Sequence, residues 1–281
     1  MDGLFRASWL LATLSTIENG TAGTSARLCN TVHGRQPVRA KRLCTQPFRT
    51  ARRECSGSPR GASLHPMADV HNIAPRVIVY PHGSPPPATG EGCTALAQLT
   101  QGGGSAAVFG DGSHPTTRLC AAGVDLLCRQ RHPHAVLDVG TGTGILARIA
   151  RARGAGFVVG TDIDPGALSC ARAHAALDAH PVGIELSDNS PDHWGPRFDL
   201  VVANILQEPL EGLASALGRA LAPGGLLLIS GFTRPQAPSL RVLFEIAGMS
   251  VRGQSNLGEW VLLTFSVLDI QGCATNQSPP H

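Results

Sequence analysis

Four apolar runs punctuate the second half of the chain and cover residues 135–139, 157–161, 198–203 and 226–230. Continuous runs of this length are typical of strands that are buried on both faces. Helical segments separate the runs, and strands that alternate with helices imply right-handed crossovers in a parallel sheet. The pattern therefore predicts an α/β fold with a doubly wound, mostly parallel sheet.

Two of the intervening helices have recognisable ends. Asp164 is predicted to cap one of them, with Pro165 in its first turn and apolar residues spaced along 167–175. Another is predicted over about 210–221. It is expected to stop at the Pro-Gly-Gly sequence of 223–225, because proline and glycine end helices.

The alternation of apolar runs with helical segments begins near residue 109, and this sets the predicted domain boundaries. Residues 109–265 form the main domain. Residues 67–108 are rich in proline and glycine with one strand-like run at 77–80, and we interpret them as a linker, the remnant of an N-terminal region. Residues 266–281 are polar and are predicted to be a loose tail.

The first 66 residues differ from the rest in charge. They hold ten Lys plus Arg residues against three acidic ones, which leaves 13 basic and 17 acidic residues in the remainder. The positive net charge is therefore no sign of nucleic-acid binding by the main domain. With no sustained period, this leader is expected to be disordered. A transit peptide and a secretory signal are alternatives; we favour a third, a reading frame extended upstream of a start at Met67.

The sequence VLDVGTGTGIL at 136–146 places a glycine-rich turn between the first strand and the first helix of the domain. Glycines permit a tight turn and the close approach of a ligand. Here Gly140, Gly142 and Gly144 give the spacing G-x-G-x-G, with Asp138 two residues ahead. Dinucleotide-binding turns instead have G-x-G-x-x-G and receive a pyrophosphate, which argues against a nicotinamide dehydrogenase. The pattern resembles motif I of the Rossmann-like methyltransferases, whose cofactor has no phosphate.

Polar residues also follow the later strands. Asp162 ends the second strand 22 residues after Gly140, where a carboxylate can accept both hydroxyls of a ribose. Asp164 competes for this role, but we expect it to cap a helix. Asp188, after a short third strand, is a candidate for an adenine amino group or a surface loop residue. Asn204 ends the fourth strand near the expected switch point of the sheet, as a ligand-facing amide or as a turn residue.

Several segments of the chain resemble those of a known protein family. The sequence FGDGSHPTT at 109–117 resembles the F-G-T-G-T-H-P-T-T signature of the bacterial ribosomal protein L11 methyltransferases, and 138–146, 160–165, 201–206, 223–231 and 258–262 match that family's pattern in order. The resemblance implies a class I, Rossmann-like methyltransferase with a seven-stranded sheet and S-adenosyl-L-methionine as cofactor. It implies that Thr117, Gly140, Gly142, Asp162 and Asn204 contact this cofactor. We also predict that Asn204 is catalytic and orients the methyl acceptor.

Two departures from the family bear on function. Asp111 and Ser113 stand where threonines are usual, and an inward carboxylate at 111 would repel the carboxylate of the cofactor. The family also carries an N-terminal substrate-recognition domain, and residues 1–104 show no pattern of a compact fold of that kind.

We expect methylation of a protein amino group, on lysine or an N-terminus, with a large-subunit ribosomal protein as the first candidate partner. The alternatives are another protein or a small molecule as acceptor, or a non-catalytic cofactor-binding remnant. His114 is a candidate base only by its proximity, and a structural role in the turn is preferred.

The cysteines and the lengths of the apolar stretches bear on metal binding and on the location of the protein. Its eight cysteines form no C-x-x-C pair and no zinc-type spacing, so we predict no metal site and a reducing, cytoplasmic location. Its apolar stretches are all shorter than the roughly 18 to 20 residues that a membrane-spanning helix needs. A monomer that binds neither nucleic acid nor membrane is expected.

Overall fold

The computed structural model describes residues 70–99, 108–178 and 183–267. The predicted leader and residues 268–281 of the predicted tail lie outside the described residues. In chain order the elements are β1 (His71–Ala74), β2 (Val77–Pro81), β3 (Thr94–Gln98), α1 (Pro115–Arg131), β4 (Ala135–Val139), α2 (Ile145–Ala152), β5 (Phe157–Thr161), α3 (Pro165–Ala175), β6 (Ile184–Ser187), β7 (Phe198–Asn204), α4 (Gln207–Ala220), β8 (Leu221–Thr233), α5 (Ala237–Ile246), β9 (Met249–Leu257) and β10 (Trp260–Val267). A single 3₁₀ turn, Pro191–Trp194, precedes β7.

The main sheet has seven strands in the order β6-β5-β4-β7-β8-β10-β9. The strands from β6 to β8 pair in parallel, whereas β10 is antiparallel to both β8 and β9. The predicted doubly wound, mostly parallel α/β fold is confirmed. The strand order reverses between β4 and β7, so the switch point lies beyond the carboxyl ends of these two strands.

Burial on both faces explains why the apolar runs were informative. Every residue of β4 is buried, and neighbouring residues face opposite cores: Val136 belongs to one cluster and Leu137 to the other. The predicted runs at 135–139 and 157–161 coincide with β4 and β5. A strand covered on both faces needs apolar side chains at every position, and its limits are therefore readable.

The predicted helix ends are partly confirmed. Asp164 caps α3, accepting a hydrogen bond from the Gly166 N–H at 2.8 Å, with Pro165 in the first turn. The second predicted helix is α4, which runs from Gln207 to Ala220. The Pro-Gly-Gly sequence does not directly follow this helix, because it lies inside β8, where Gly224 has a φ of 76° and the pairing with β7 is irregular.

The expectation of a linker with little fold of its own is wrong for residues 71–98. These residues form a three-stranded sheet in which β2 pairs antiparallel with β1 and parallel with β3. Ile73, Val77 and Leu96 are buried in the same apolar cluster as Val136 of β4. Short strands in a Pro- and Gly-rich stretch gave too few apolar positions to predict this packing.

Two arginines attach the small sheet to the main domain. Arg148 is 1% exposed, donates to the Ala97 carbonyl at 2.8 Å and forms two hydrogen bonds with Asp178 at 2.9 and 2.6 Å. Arg153 donates to the carbonyl oxygens of Arg76 and Gly92 at 2.8 and 2.9 Å. Its guanidinium is held by Asp125 at 2.6 Å. Charge-assisted, multiply bonded guanidinium groups give such contacts fixed geometry.

The described ranges include no helix that is both long and apolar enough to cross a membrane. They contain no group of three or more potential metal ligands. The four cysteines in these ranges are free, and burial raises the pKa of the Cys120 and Cys128 thiols, which holds both neutral.

Candidate active site

The glycine-rich turn follows β4 at the switch point. Gly140, Gly142 and Gly144 all have positive φ, at 69°, 54° and 79°. A Cβ at Gly140 would collide with the Ile205 side chain, and one at Gly142 would collide with the Phe109 carbonyl oxygen. Glycine is therefore required here for backbone conformation and for close packing. The turn brings the segment after β7 and the segment before α1 against the same loop.

Asp138, on the strand that leads into the glycine turn, holds the turn through hydrogen bonds. Its carboxylate is buried and accepts hydrogen bonds from the Thr141 hydroxyl at 2.7 Å and from the Ala147 N–H at 3.1 Å. Oδ1 has no hydrogen-bond partner among the described residues. Burial raises the pKa of Asp138 to about 6, against the lowering effect of both hydrogen bonds, and the nearby Asp162 raises it further.

Asp162 lies where β5 ends, as predicted from its spacing. Its Oδ2 accepts from the Gly142 N–H and its Oδ1 from the Asp164 N–H, each at 3.0 Å. The carboxylate is thus fixed beside the glycine turn. The next side chain, Ile163, is 95% exposed and presents an apolar surface next to it. Asp188 follows β6 at the same edge of the sheet, since the Asp162 N–H donates to the Ser187 carbonyl at 3.2 Å.

The segment before α1 contacts the glycine turn directly. The Thr143 hydroxyl donates to the Gly110 carbonyl at 2.6 Å, and the Thr143 N–H donates to the Phe109 carbonyl at 3.1 Å. Thr117 lies in the first turn of α1, is 1% exposed, and its hydroxyl has no hydrogen-bond partner within the described ranges. An orphaned buried hydroxyl is costly unless a ligand satisfies it.

His114 has a structural position. It is the N-cap of α1, and its Nδ1 accepts from the Thr116 N–H at 3.3 Å while also meeting the Thr116 hydroxyl at 2.8 Å. Its ring packs edge-on against Phe109 and Trp260, with centroids 5.2 and 4.7 Å away. The preferred structural reading of His114 is consistent with these contacts.

The two departures from the family signature contact each other. Asp111 Oδ1 accepts from the Ser113 N–H at 2.9 Å and from the Ser113 hydroxyl at 2.7 Å, and both residues are exposed. The carboxylate therefore caps its own turn. Its exposure to solvent screens the repulsion that this carboxylate could exert on a cofactor carboxylate.

Asn204 is the last residue of β7 and pairs with Ser230 of β8. Its Oδ1 is buried and has no hydrogen-bond partner among the described residues. Gly231 follows Ser230 with a φ of 101°, and a Cβ there would collide with the Ile205 carbonyl oxygen. The structure thus brings Asn204 to the edge of the sheet that holds the glycine turn and Asp162.

Sequence reasoning missed the far wall of this site. A cavity of about 620 Å³ lies beyond β7 and β8, and Glu208, Glu211, Gln236 and Trp260 help to line it. Glu208 lies only four residues after Asn204, so its position near this edge of the sheet could have been predicted from the sequence. Gln236 and Trp260 come from distant parts of the sequence, and only the return of β10 beside β8 brings Trp260 to this edge.

The sheet order and the glycine turn together define a Rossmann-like class I methyltransferase. The family model described as ribosomal protein L11 methyltransferase (PrmA) matches residues 72–267. The chain belongs to the ribosomal protein L11 methyltransferase family. This match begins at the small sheet, well before residue 109, where the predicted domain started.

Individual relatives agree with the family model. A ribosomal protein L11 methyltransferase of Geobacter sulfurreducens is 42% identical over 157 residues, which are 56% of this chain and 51% of the relative. One of Ralstonia pickettii is 43% identical over 137 residues, 48% of this chain and 44% of the relative. The chain thus spans about half the length of the curated relatives it matches. A crystal structure of a ribosomal protein L11 methylase from Lactobacillus delbrueckii subsp. bulgaricus is 29% identical, with a TM-score of 0.62 over 71% of this chain and 99% of that one.

Proposed function

We propose that this protein is an S-adenosyl-L-methionine-dependent methyltransferase that modifies protein amino groups, on lysine side chains or an N-terminus, with ribosomal protein L11 as the first candidate substrate. One observation carries the proposal: the family match covers 72–267, and within it the glycine turn, Asp162 and Asn204 converge on one edge of the sheet. The expected catalytic role of Asn204 and the five cofactor contacts belong to this proposal.

The residues present suit the cofactor. Gly140 and Gly142 have positive φ and let Ile205 and the Phe109 carbonyl pack directly against the turn, which gives the turn one defined shape beside Asp162. Asp162 offers a fixed carboxylate for the two ribose hydroxyls, and the exposed Ile163 offers an apolar face for adenine. Thr117 and Asn204 each hold a buried oxygen that lacks a partner in the described ranges, as a polar ligand would require.

When bound, S-adenosylmethionine supplies a methyl group on a cationic sulfonium whose sulfur leaves neutral. The protein therefore has no developing anion to stabilise, and its task is orientation, which can contribute about 7 to 11 kcal/mol. An amine acceptor must be neutral to react, whereas a free lysine has a pKa near 10.4. Removal from water lowers that pKa. The Asn204 Oδ1 can then accept a hydrogen bond from the neutral amine and aim its lone pair.

The partners and location complete the proposal. The proposal includes a monomer located in the cytoplasm, where a ribosomal protein would be available as substrate. Sedimentation at micromolar concentration tests whether the protein is a monomer, and a dimer would contradict the proposal.

The test uses the full chain with purified ribosomal protein L11 and a total ribosomal extract as acceptors. Labelled cofactor and mass spectrometry should locate added methyl groups on amino nitrogens. Calorimetry in parallel should show binding of S-adenosylhomocysteine and none of NAD. Methylation confined to another protein or to small molecules would identify a different substrate. Cofactor binding without any transfer would indicate the non-catalytic remnant, and binding of NAD alone would overturn the proposal.

A further inference from the structure

The short segment that precedes α1, residues 109–113, has no large side chain at its buried positions. Gly110 and Gly112 are buried, whereas Asp111 and Ser113 are exposed. Both glycines have positive φ, at 110° and 95°. Glycine has more conformational freedom than any other residue, so this segment depends on its neighbours for a fixed position.

The glycine turn lies on one side of the segment. The Thr143 hydroxyl and N–H donate to the carbonyl oxygens of Gly110 and Phe109. The Phe109 carbonyl oxygen also packs against Gly142, where it occupies the position that a Cβ would need. The Gly142 N–H in turn donates to the Asp162 carboxylate. The segment therefore contacts the part of the turn that carries the predicted ribose ligand.

The small sheet lies on the other side of the segment. A Cβ at Gly112 would lie 2.6 Å from Cγ2 of Ile73 and 3.7 Å from Cγ2 of Val79. Ile73 and Val79 are 1% and 3% exposed. Gly112 therefore packs directly on a branch methyl of Ile73, and the segment is held between this methyl and the glycine turn.

The side chain of Ile73 is directed by an irregularity in β1. Asn72 pairs with Ile78 and Ala74 with Val77, so Ile73 is an extra residue with no partner in β2. The alternation of the strand breaks at this point, because the two residues before Ile73 are exposed while Ile73 and the next residue are both buried. Bulges of this kind re-aim side chains and are frequent beside active sites.

We infer that Ile73 is a positioning residue for the cofactor, because its Cγ2 methyl holds the 109–113 segment against the glycine turn. The inference rests on the proposed function, since it takes the cofactor to bind along this turn. The small sheet is a firm support, because Arg148 and Arg153 bond to its carbonyl oxygens. A segment held in place before the ligand arrives reduces the ordering cost of binding.

The test compares two conservative exchanges of Ile73 in the full chain. Ile73→Val keeps the Cγ2 methyl and loses Cδ1, whereas Ile73→Leu keeps every carbon atom in number but moves the branch away from Cβ. Both exchanges are of a kind that costs little stability in a core. In calorimetry with S-adenosylhomocysteine, Ile73→Val should bind within about twofold of the wild type and Ile73→Leu at least about fivefold more weakly, because apparent affinity falls with the fraction of molecules in the competent conformation.

Hydrogen exchange of the unliganded chain supplies a second readout, which a merely structural role of Ile73 would not change. The amides of Gly142 and Thr143 are bonded to Asp162 and to the segment. Peptides that cover 140–146 should exchange at least about threefold faster in Ile73→Leu than in Ile73→Val, since local opening controls exchange. Peptides from β9 and β10 should exchange equally in the two variants.

Ile149 of α2 offers the matched control, because it is fully buried in the same apolar cluster as Ile73. Ile149→Leu should leave affinity for S-adenosylhomocysteine within about twofold of the wild type, even where it lowers the melting temperature. If Ile73→Leu does not fold, Gly112→Ala and Gly83→Ala decide the question. Gly83 has a similar φ of 90°, but a Cβ there would meet nothing within 4 Å. Only Gly112→Ala should weaken binding.

Three results would each overturn the inference: equal affinity of Ile73→Leu and Ile73→Val, equal exchange of their 140–146 peptides, or a loss of affinity in Ile149→Leu as large as that in Ile73→Leu. Failure of the proposed function looks different, because the wild type would then not bind S-adenosylhomocysteine at all. In that case the role of Ile73 in cofactor binding fails with it, while the exchange rates still show whether this side chain holds the segment.

Discussion

The Asp162 carboxylate accepts a hydrogen bond from the Gly142 N–H at 3.0 Å, which ties the end of β5 to the glycine turn after β4. This contact places a negative charge beside the turn and limits its rotation. A ligand that uses the turn and the carboxylate together therefore meets a site whose two halves are already oriented, which reduces the entropy lost on binding.

Replacing Asp162 with Ala should weaken binding of S-adenosylhomocysteine by about 1.5 to 3 kcal/mol, the range for hydrogen bonds to a charged group. Calorimetry measures the change. The matched control is Asp188→Ala, on the exposed loop after β6, which should cost less than about 1 kcal/mol. An unchanged affinity in the Asp162 variant would remove that residue from the ribose role. A larger loss in the Asp188 variant would transfer the main polar contact to that loop.

Asp111→Asn should leave cofactor affinity within about twofold of the wild type. Asp111 is exposed to solvent, which screens its charge, and its Oδ1 is held by two hydrogen bonds from Ser113. An asparagine oxygen can accept the same bonds. Titration calorimetry over a range of ionic strengths checks this. A gain in affinity at low salt would mean that the carboxylate does repel the cofactor.

Asn204→Ala should depress turnover far more than cofactor affinity, because the proposed contact to the amine is made mainly in the transition state. Thr117→Val should do the reverse, since its buried hydroxyl is proposed to face the cofactor. Single-turnover rates and cofactor affinities of both variants are needed. Equal proportional losses of rate and affinity in Asn204→Ala would make it a binding residue only.

A chain beginning at Met67 should keep the melting temperature and cofactor affinity of the full chain, because the described elements start at His71. A chain beginning at Phe109 should be unfolded or should melt much lower. It would lose Ile73, Val77 and Leu96 from the core and the Ala97 carbonyl that Arg148 contacts, and buried apolar side chains contribute about 1.5–3 kcal/mol each. Equal melting temperatures of the two shortened chains would restore the linker interpretation.

Asp138 should make the stability of the protein depend on pH. A carboxyl group whose folded pKa exceeds its unfolded value binds its proton more tightly in the folded state. Its stabilising contribution is therefore complete below the ordinary value of 3.8 and is lost as pH rises to about 6. Asp138→Asn keeps an oxygen for the Ala147 N–H and cannot ionise. Between about pH 4 and pH 7, its free energy of unfolding, measured with denaturant, should rise by about 2 kcal/mol relative to that of the wild type. Parallel pH profiles would contradict this.

Local rules explain most of what was predictable in the fold. β4 and β5 were predicted at their observed limits because strands covered on both faces must be apolar throughout. The cap at Asp164 was predictable because it needs only the neighbouring backbone. The small sheet was missed because its three strands have four or five residues each and depend on packing against Arg148 and Arg153.

Some residues of the candidate site could likewise be predicted from local sequence, and others could not. The glycine turn, Asp162 and Asn204 could be predicted as site residues from the sequence alone. In a parallel sheet the carboxyl ends of the strands meet at one edge, and spacing along the chain identifies the residues that follow them. The pairing of Asp111 with Ser113 needed side-chain orientation, which spacing does not supply. Only the tertiary structure brought Trp260 and Glu208 to one cavity. They are 52 residues apart, and their meeting depends on the antiparallel return of β10 beside β8, a long-range pairing that no local pattern specifies.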